Sequence, residues 1–255
     1  MLYALIVLYN KNIEDSETYK ILRNYSKNFT IIIYDNSTIV NNNLDFCIKN
    51  NIQYYGNGKN LGLSKAYNFV LNKIDKKVNN YICIFDDDTL LNKDYIDEVL
   101  LKTRTNEYDI ILPIVKSNGV IISPCNIVSQ CRVININNVD DIKIDKITAI
   151  NSGMAIRTKL YDSIQYNEKL FLDYVDHDFM KNVRNNNYKI NIMNSCIHQK
   201  YSRHEKQNIE SVRARFYIFK KDYKIYCKDC KKMMFYYFSI CKLKIKNFIK
   251  YKKII

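Results

Sequence analysis

Glycine and proline are scarce in this 255-residue chain, at five and two, and histidine occurs only three times. No apolar run approaches the roughly 20 residues needed to span a bilayer. The opening stretch, Met1 to Leu8, is apolar but lacks a basic n-region and a small-residue cleavage site. It therefore reads as a strand rather than a signal peptide, and the chain is expected in the cytoplasm. Eight cysteines are scattered without framework spacing, which argues against a disulfide scaffold and for free thiols in a reducing compartment. Cys227-x-x-Cys230 has no second pair at zinc-finger distance, so it is read as two thiols. What the chain has in quantity is apolar residues, at 47%. That excludes a disordered protein and suffices for one α/β core, with or without a small helical appendage.

Acidic residues are also in deficit, 26 against 40 Lys and Arg, and the deficit is local. From residue 200 onward there are 17 Lys/Arg and 4 Asp/Glu, which accounts for 13 of the 14 net positive charges. The body is nearly neutral and the tail basic. None of the familiar nucleic-acid-binding motifs is present, so no nucleic-acid partner is expected. A basic, aromatic-rich tail on a neutral body fits attraction to an anionic membrane surface, and the chain is expected to sit peripherally on one.

Tyr81-Ile82-Cys83-Ile84-Phe85 is an apolar run that ends abruptly in Asp86-Asp87-Asp88. It reads as a buried central strand opening into a site at its C-terminal end. Adjacent carboxylates raise one another's pKa unless a cation sits among them, and hard oxygen ligands suit Mn²⁺ or Mg²⁺. The plain alternative is a solvated turn leading to a helix capped by Asn92. Two earlier strands, 2–8 and 29–34, also run into polar residues, Tyr9-Asn10 and Asp35-Asn36-Ser37. Ligands of open α/β sheets bind beyond the carboxyl ends of strands, so the repetition is informative.

Three of the five glycines fall in Gly56-Asn57-Gly58-Lys59-Asn60-Leu61-Gly62, just ahead of a helix expected over 63–74 whose N-terminus can receive phosphate charge. Further helices are expected over 16–25, 44–50 and 93–103, strands over 52–55 and 109–113, and a hairpin on Asn118-Gly119. The stretch from 124 to 146 is the least legible. Asn151 to Arg157 reads as a strand broken by Gly153, 189–193 as another strand, and Leu170 to Phe179 as the opening of a helix that runs to about residue 186. Carboxylates in that first turn suit the helix dipole, which is the structural explanation for Asp176 and Asp178; the functional one is a general base.

Taken together, these features resemble glycosyltransferase family 2. Asp86-Asp87-Asp88 matches its Asp-x-Asp motif, and Asn60, Gly62, Ala66 and Asn68 match an Asn-x-Gly-x-x-x-Ala-x-Asn run. The segment from Phe171 to Phe179 is similar to the Phe-x-Asp-x-x-Asp run of rhamnosyltransferase-like members, with Val175 in place of the commoner Glu before Asp176. The resemblance implies an α/β protein of GT-A type: a mixed, mostly parallel twisted sheet flanked by helices, with a basic helical C-terminal segment. It divides the chain into a catalytic domain over 1–200, with a nucleotide-sugar half (1–112) and an acceptor half (113–200), and a tail over 201–255.

It implies further that Tyr9, Asn10 and Asp35 hold the base and ribose of a nucleotide-sugar donor, with Asn60, Gly62, Asn68, Asp86 and Asp87 around it. Asp86 and Asp88 would hold Mn²⁺ or Mg²⁺, with His198 reaching the metal or diphosphate, and Asp176 would be the base, Asp173 and Asp178 being the alternatives. The implied reaction is inverting transfer from dTDP-rhamnose or a UDP-hexose to a saccharide or lipid-linked saccharide acceptor. A nucleotidyltransferase would need a Gly-rich basic loop after the first strand, where Tyr9-Asn10-Lys11-Asn12 stands. A purely basic binding protein would have no use for carboxylates at strand ends.

Overall fold

The computed structural model describes residues 1–129, 131–199 and 208–252. In chain order the elements are β1 (Leu2–Leu8), α1 (Glu17–Leu22), β2 (Thr30–Asp35), α2 (Asn43–Lys49), β3 (Gln53–Gly56), α3 (Leu63–Leu71), β4 (Tyr81–Asp86) and β5 (Thr89–Leu90). Then come α4 (Lys93–Thr105), β6 (Ile110–Ser117), β7 (Val120–Ser123), β8 (Cys125–Val128), β9 (Arg132–Ile134), β10 (Ile147–Thr148), β11 (Met154–Arg157), α5 (Val175–Asn185) and β12 (Ile190–Gln199). Two long helices, α6 (Ile209–Asp229) and α7 (Met233–Tyr251), close the described chain.

The central sheet runs β3-β2-β1-β4-β11-β6-β12-β5, with β7 on the edge of β6. Strands β3, β2, β1 and β4 are mutually parallel; β2, β1 and β4 carry the continuous apolar sequences expected of strands covered on both faces, and β3 is the half-exposed edge. Side chains alternate across the sheet, and β1 shows the division: Tyr3, Leu5 and Val7 enter one apolar layer, Leu2, Ala4, Ile6 and Leu8 the other. In β4, Ile82 and Ile84 share the first layer with Tyr67 of α3, Phe179 of α5 and Tyr226 of α6. The register sets Val7 beside Asp86 and Leu8 beside Asp35. Both carboxylates therefore stand at one edge of the sheet.

Several expected bounds differ from the structure. The strand expected over 109–113 and the first arm of the hairpin are a single strand, β6, which runs through residues 112 and 113. β12 extends to Gln199, so His198 lies within a strand rather than after one. The stretch from 124 to 146 contributes β8 and β9, which join β10 in a separate three-stranded sheet. Those short segments alternate weakly and pair only with one another, which left no periodic signal.

The expected border at residue 200 lies outside the described residues, but beyond it α6 packs on the domain. Tyr223, Tyr226 and Cys227 are buried in the first apolar layer, each large side chain contributing about 2 kcal/mol. Asp222, fully buried, accepts the backbone N–H groups of Phe171 (3.0 Å), Leu172 (2.7 Å) and Asp173 (2.9 Å). One carboxylate of α6 thus fixes the segment that leads into α5. Asp222→Ala leaves three backbone donors without a charged acceptor, and a loss of about 3 kcal/mol is expected. Urea unfolding measures it, and an unchanged midpoint would show that α6 does not hold that segment.

Candidate active site

β1, β2 and β4 end side by side, and their loops are tied together. Asn10, in the left-handed region at φ 50°, donates its N–H to Ser37 Oγ (2.7 Å) and accepts from the Thr38 N–H through Oδ1 (2.9 Å). Lys11 Nζ reaches Asp87 Oδ1 at 2.6 Å. Tyr9, 54% exposed, stands beside them at the mouth.

Asp35 is buried and fully engaged, accepting from the Ser37 N–H (2.9 Å), Asn41 Nδ2 (3.0 Å), Asn43 Nδ2 (2.8 Å) and Tyr54 Oη (3.2 Å). Burial pushes its pKa up, but the hydrogen bonds from Ser37, Asn43 and Asn41 outweigh burial and hold it below the ordinary value. It organises the loop after β2, with its lone pairs already occupied.

The glycine-rich loop likewise grips protein. Asn60 Oδ1 accepts from the Gly62 N–H at 3.0 Å. Gly62 has φ +84°, and a Cβ there would lie 2.6 Å from the carbonyl oxygen of Phe171. That close approach lets the Leu63 N–H donate to the same oxygen at 2.7 Å, and Ser64 Oγ donates to the Leu170 carbonyl. The first turn of α3, expected to receive phosphate, is thus engaged by the 170–171 backbone. Asn68 is buried and bonds the backbone N–H (3.0 Å) and carbonyl (2.9 Å) of Tyr166. These residues hold α3 against the segment that precedes α5.

The carboxylate cluster is different. Asp86 Oδ2 accepts from Ser152 Oγ (2.5 Å) and Gln199 Nε2 (2.6 Å). Gly153, at φ +76°, lets the chain before β11 press against β4, where its N–H bonds the Ile84 carbonyl at 2.8 Å. Burial raises the Asp86 pKa most, against those two hydrogen bonds, and the charge of Asp176 raises it further. Asp87 is also raised by burial despite Lys11. Asp88 is pushed to about 6 by burial and by the charges of Asp86 and Asp87. Among the described residues no other side chain donates a hydrogen bond to Asp88.

α5 starts from Tyr174, itself at φ 62° and stacked on the rings of Tyr226 (4.7 Å) and Tyr223 (5.0 Å). The three candidate bases then separate. Asp173 forms a two-pronged ion pair with Arg215 of α6. Asp178 is buried and paired with Lys181 at 2.5 Å. Asp176 accepts only the N–H of the next residue, His177, at 2.8 Å among the described residues. It borders a cavity of about 620 Å³, which Asp173 also lines, together with Asn118, Asn135, Tyr174, His177 and Phe219. The His177 ring is held by Thr148 Oγ1 through Nδ1 (2.7 Å).

The structure does not bring His198 to the carboxylates. It is exposed and pairs with Leu90 across β5. Successive side chains of a strand face opposite ways, so with Gln199 on Asp86, His198 is turned out. Among the described residues no three His, Cys, Asp or Glu side chains converge as a preformed metal centre. The donor set fits a divalent ion in another way: a half-buried carboxylate pair short of positive charge suits an ion whose remaining ligands are phosphate oxygens and water. Sequence reasoning missed Lys11, Ser152 and Gln199, which touch the cluster from three separate parts of the chain.

This arrangement is that of the GT-A fold, a mostly parallel central sheet with helices on both faces. The chain belongs to glycosyl transferase family 2, whose model matches residues 4–165. No curated protein matches the sequence. Among solved structures, S. aureus TarS in complex with UDP-GlcNAc is similar over 83% of this chain and 61% of its own, at 17% identity and a TM-score of 0.54. A second S. aureus TarS structure is similar over 79% of this chain and 37% of its own, at the same identity and TM-score. GalNAc-T7 with UDP, GalNAc and Mn²⁺ is similar over 79% and 44%, at 13% identity and 0.58. The chain thus spans 37 to 61% of the length of these relatives. The family match ends ahead of α5, so Asp176 rests on geometry.

A raised carboxyl pKa makes a testable cost. The unfolded chain releases the Asp88 proton near the ordinary value and the folded chain only near 6, so in EDTA the stability of the fold should fall as pH rises from about 4 to 6. Asp88→Asn removes this. Its melting temperature in EDTA should exceed wild type by roughly 2–4 °C at pH 7 and match it near pH 4. An equal difference at both pH values would mean that the cluster is not strained by charge.

Proposed function

We propose that the chain is an inverting glycosyltransferase that moves a sugar from a nucleoside-diphosphate donor to the hydroxyl of a saccharide or lipid-linked saccharide. The observation that carries this reading is the separation of roles among the carboxylates. Asp176 has neither an Arg nor a Lys partner of the kind that occupies Asp173 and Asp178, borders the cavity with His177 Nε2 at 4.0 Å, and is close enough to Asp86 for its charge to raise that pKa.

In the reaction the donor lies over the ends of β1, β2 and β4, with Tyr9 and Asn10 at the mouth and Asp35 holding the loop that shapes it. The acceptor occupies the cavity. Asp176 takes the proton from its hydroxyl, the oxygen attacks the anomeric carbon, and the bond from that carbon to the diphosphate oxygen breaks. Attack opposite the departing group inverts the centre. Asp86 and Asp88 would hold Mn²⁺ or Mg²⁺, which supplies positive charge to the diphosphate when bound. Ser152 and Gln199 orient Asp86, and Lys11 balances Asp87. UDP in the TarS and GalNAc-T7 structures supports a UDP-hexose donor, while the Asp173-to-Phe179 pattern supports dTDP-rhamnose; a panel of nucleotide sugars with Mn²⁺, read as donor hydrolysis, separates them. The basic tail would hold the enzyme on an anionic membrane where lipid-linked acceptors reside.

A base acts in the chemical step and need not contribute to donor affinity. Asp176→Asn should therefore lose at least about 100-fold in turnover, with nucleotide and Mn²⁺ binding by calorimetry close to wild type. Asp88→Asn should lose both. Turnover that survives in Asp176→Asn and collapses in Asp173→Asn or Asp178→Asn would move the base within the motif.

A further inference from the structure

α7 has two apolar faces. Tyr236 and Ile240 are buried, with Met233 packed beside them, and this face lies against α6, where the rings of Tyr223 and Tyr236 meet at 6.0 Å. On the other side Met234 (67% exposed), Phe238 (70%), Ile245 (57%) and Phe248 (53%) recur at intervals that place them on one helical stripe, flanked by Tyr237 and Ile249. Single exposed apolar residues need no explanation, but a continuous stripe does. Lys242 and Lys246 border it on one side and Lys244 on the other, and α7 contains no acidic residue. No described helix is long and apolar enough to cross a membrane.

We propose that the outward stripe of α7 lies in the interface of an anionic lipid membrane, with α6 remaining on the domain. Charge decides the occupant. A second copy docked through the same stripe would set lysine against lysine, whereas anionic headgroups complement them, each lysine near such a surface changing partitioning by about five-fold. About 28 Å of helix is long enough to lie in the interface plane.

α6 connects this face to chemistry. It carries Phe219 in the wall of the acceptor cavity and Asp222 under the segment leading to Asp176. Docking α7 therefore holds that cavity at a lipid surface, which selects a lipid-linked acceptor. This last step rests on the transferase reading; the docking itself does not.

The test is sedimentation of the full chain with phosphatidylcholine vesicles and with vesicles containing phosphatidylglycerol. Wild type should pellet with the anionic vesicles only. Phe238→Ser/Ile245→Ser/Phe248→Ser should bind them at least ~10-fold more weakly, with an unchanged melting temperature and unchanged hydrolysis of a nucleotide sugar in solution. Replacing Lys242, Lys244 and Lys246 by serine should weaken binding by a similar factor or more. Equal recovery of wild type with both vesicle types, or full binding by the triple variant, overturns the proposal. So does a wild-type dimer that the triple variant converts to monomer without any vesicle binding. Hydrolysis reports separately on the transferase reading, so either can fail alone.

Discussion

Mutual repulsion among three carboxylates at the end of a buried strand is the constraint on which the rest of the site depends. β4 is apolar and inaccessible through Phe85, and Asp86, Asp87 and Asp88 then meet at the sheet edge with one ammonium group among them from the described residues, that of Lys11. Such a cluster is unfavourable in a folded chain unless hydrogen bonds and charge offset it. Ser152, Gln199 and Lys11 offset part. The remainder, concentrated on Asp88, is the electrostatic demand that a divalent ion and the phosphates it carries would meet.

The second half of the site is held by α6 more than by α5. The buried Asp222 carboxylate gathers three consecutive N–H groups, and Arg215 takes Asp173. α3 grips the same segment from the other side through the Gly62, Ser64 and Asn68 contacts. Asp176 thus emerges from a segment clamped on both sides, the preorganised geometry that the proposed base would need. It also explains why residues that resemble a ligand-binding motif turn out to bind protein: a glycine needed for close approach and an amide needed for two hydrogen bonds serve loop packing as well as they would serve a nucleotide.

How much was legible in the sequence varies along the chain for physical reasons. The parallel strands expected over 2–8, 29–34 and 81–85 were visible because burial on both faces demands continuous apolar runs, and their polar ends marked the edge where the carboxylates gather. The segment from 124 to 146 was opaque because β8, β9 and β10 are two to four residues long and pair only with each other. β12 was cut short because its irregular register between Ile192 and Cys196 interrupts the periodicity of the strand.

The sequence alone determined the central strand and its carboxylates, the scarce glycines before α3, and the separation of a neutral body from a basic tail, because each is a local matter of residue type and order. The tertiary structure decided what depends on distant partners. Arg215 pairs with Asp173 and Lys181 with Asp178, Gln199 rather than its neighbour His198 reaches Asp86, and one face of the basic tail becomes core. Hydrogen bonds and ion pairs act over about 3 Å, and only folding brings residues 86, 152 and 199 within that range.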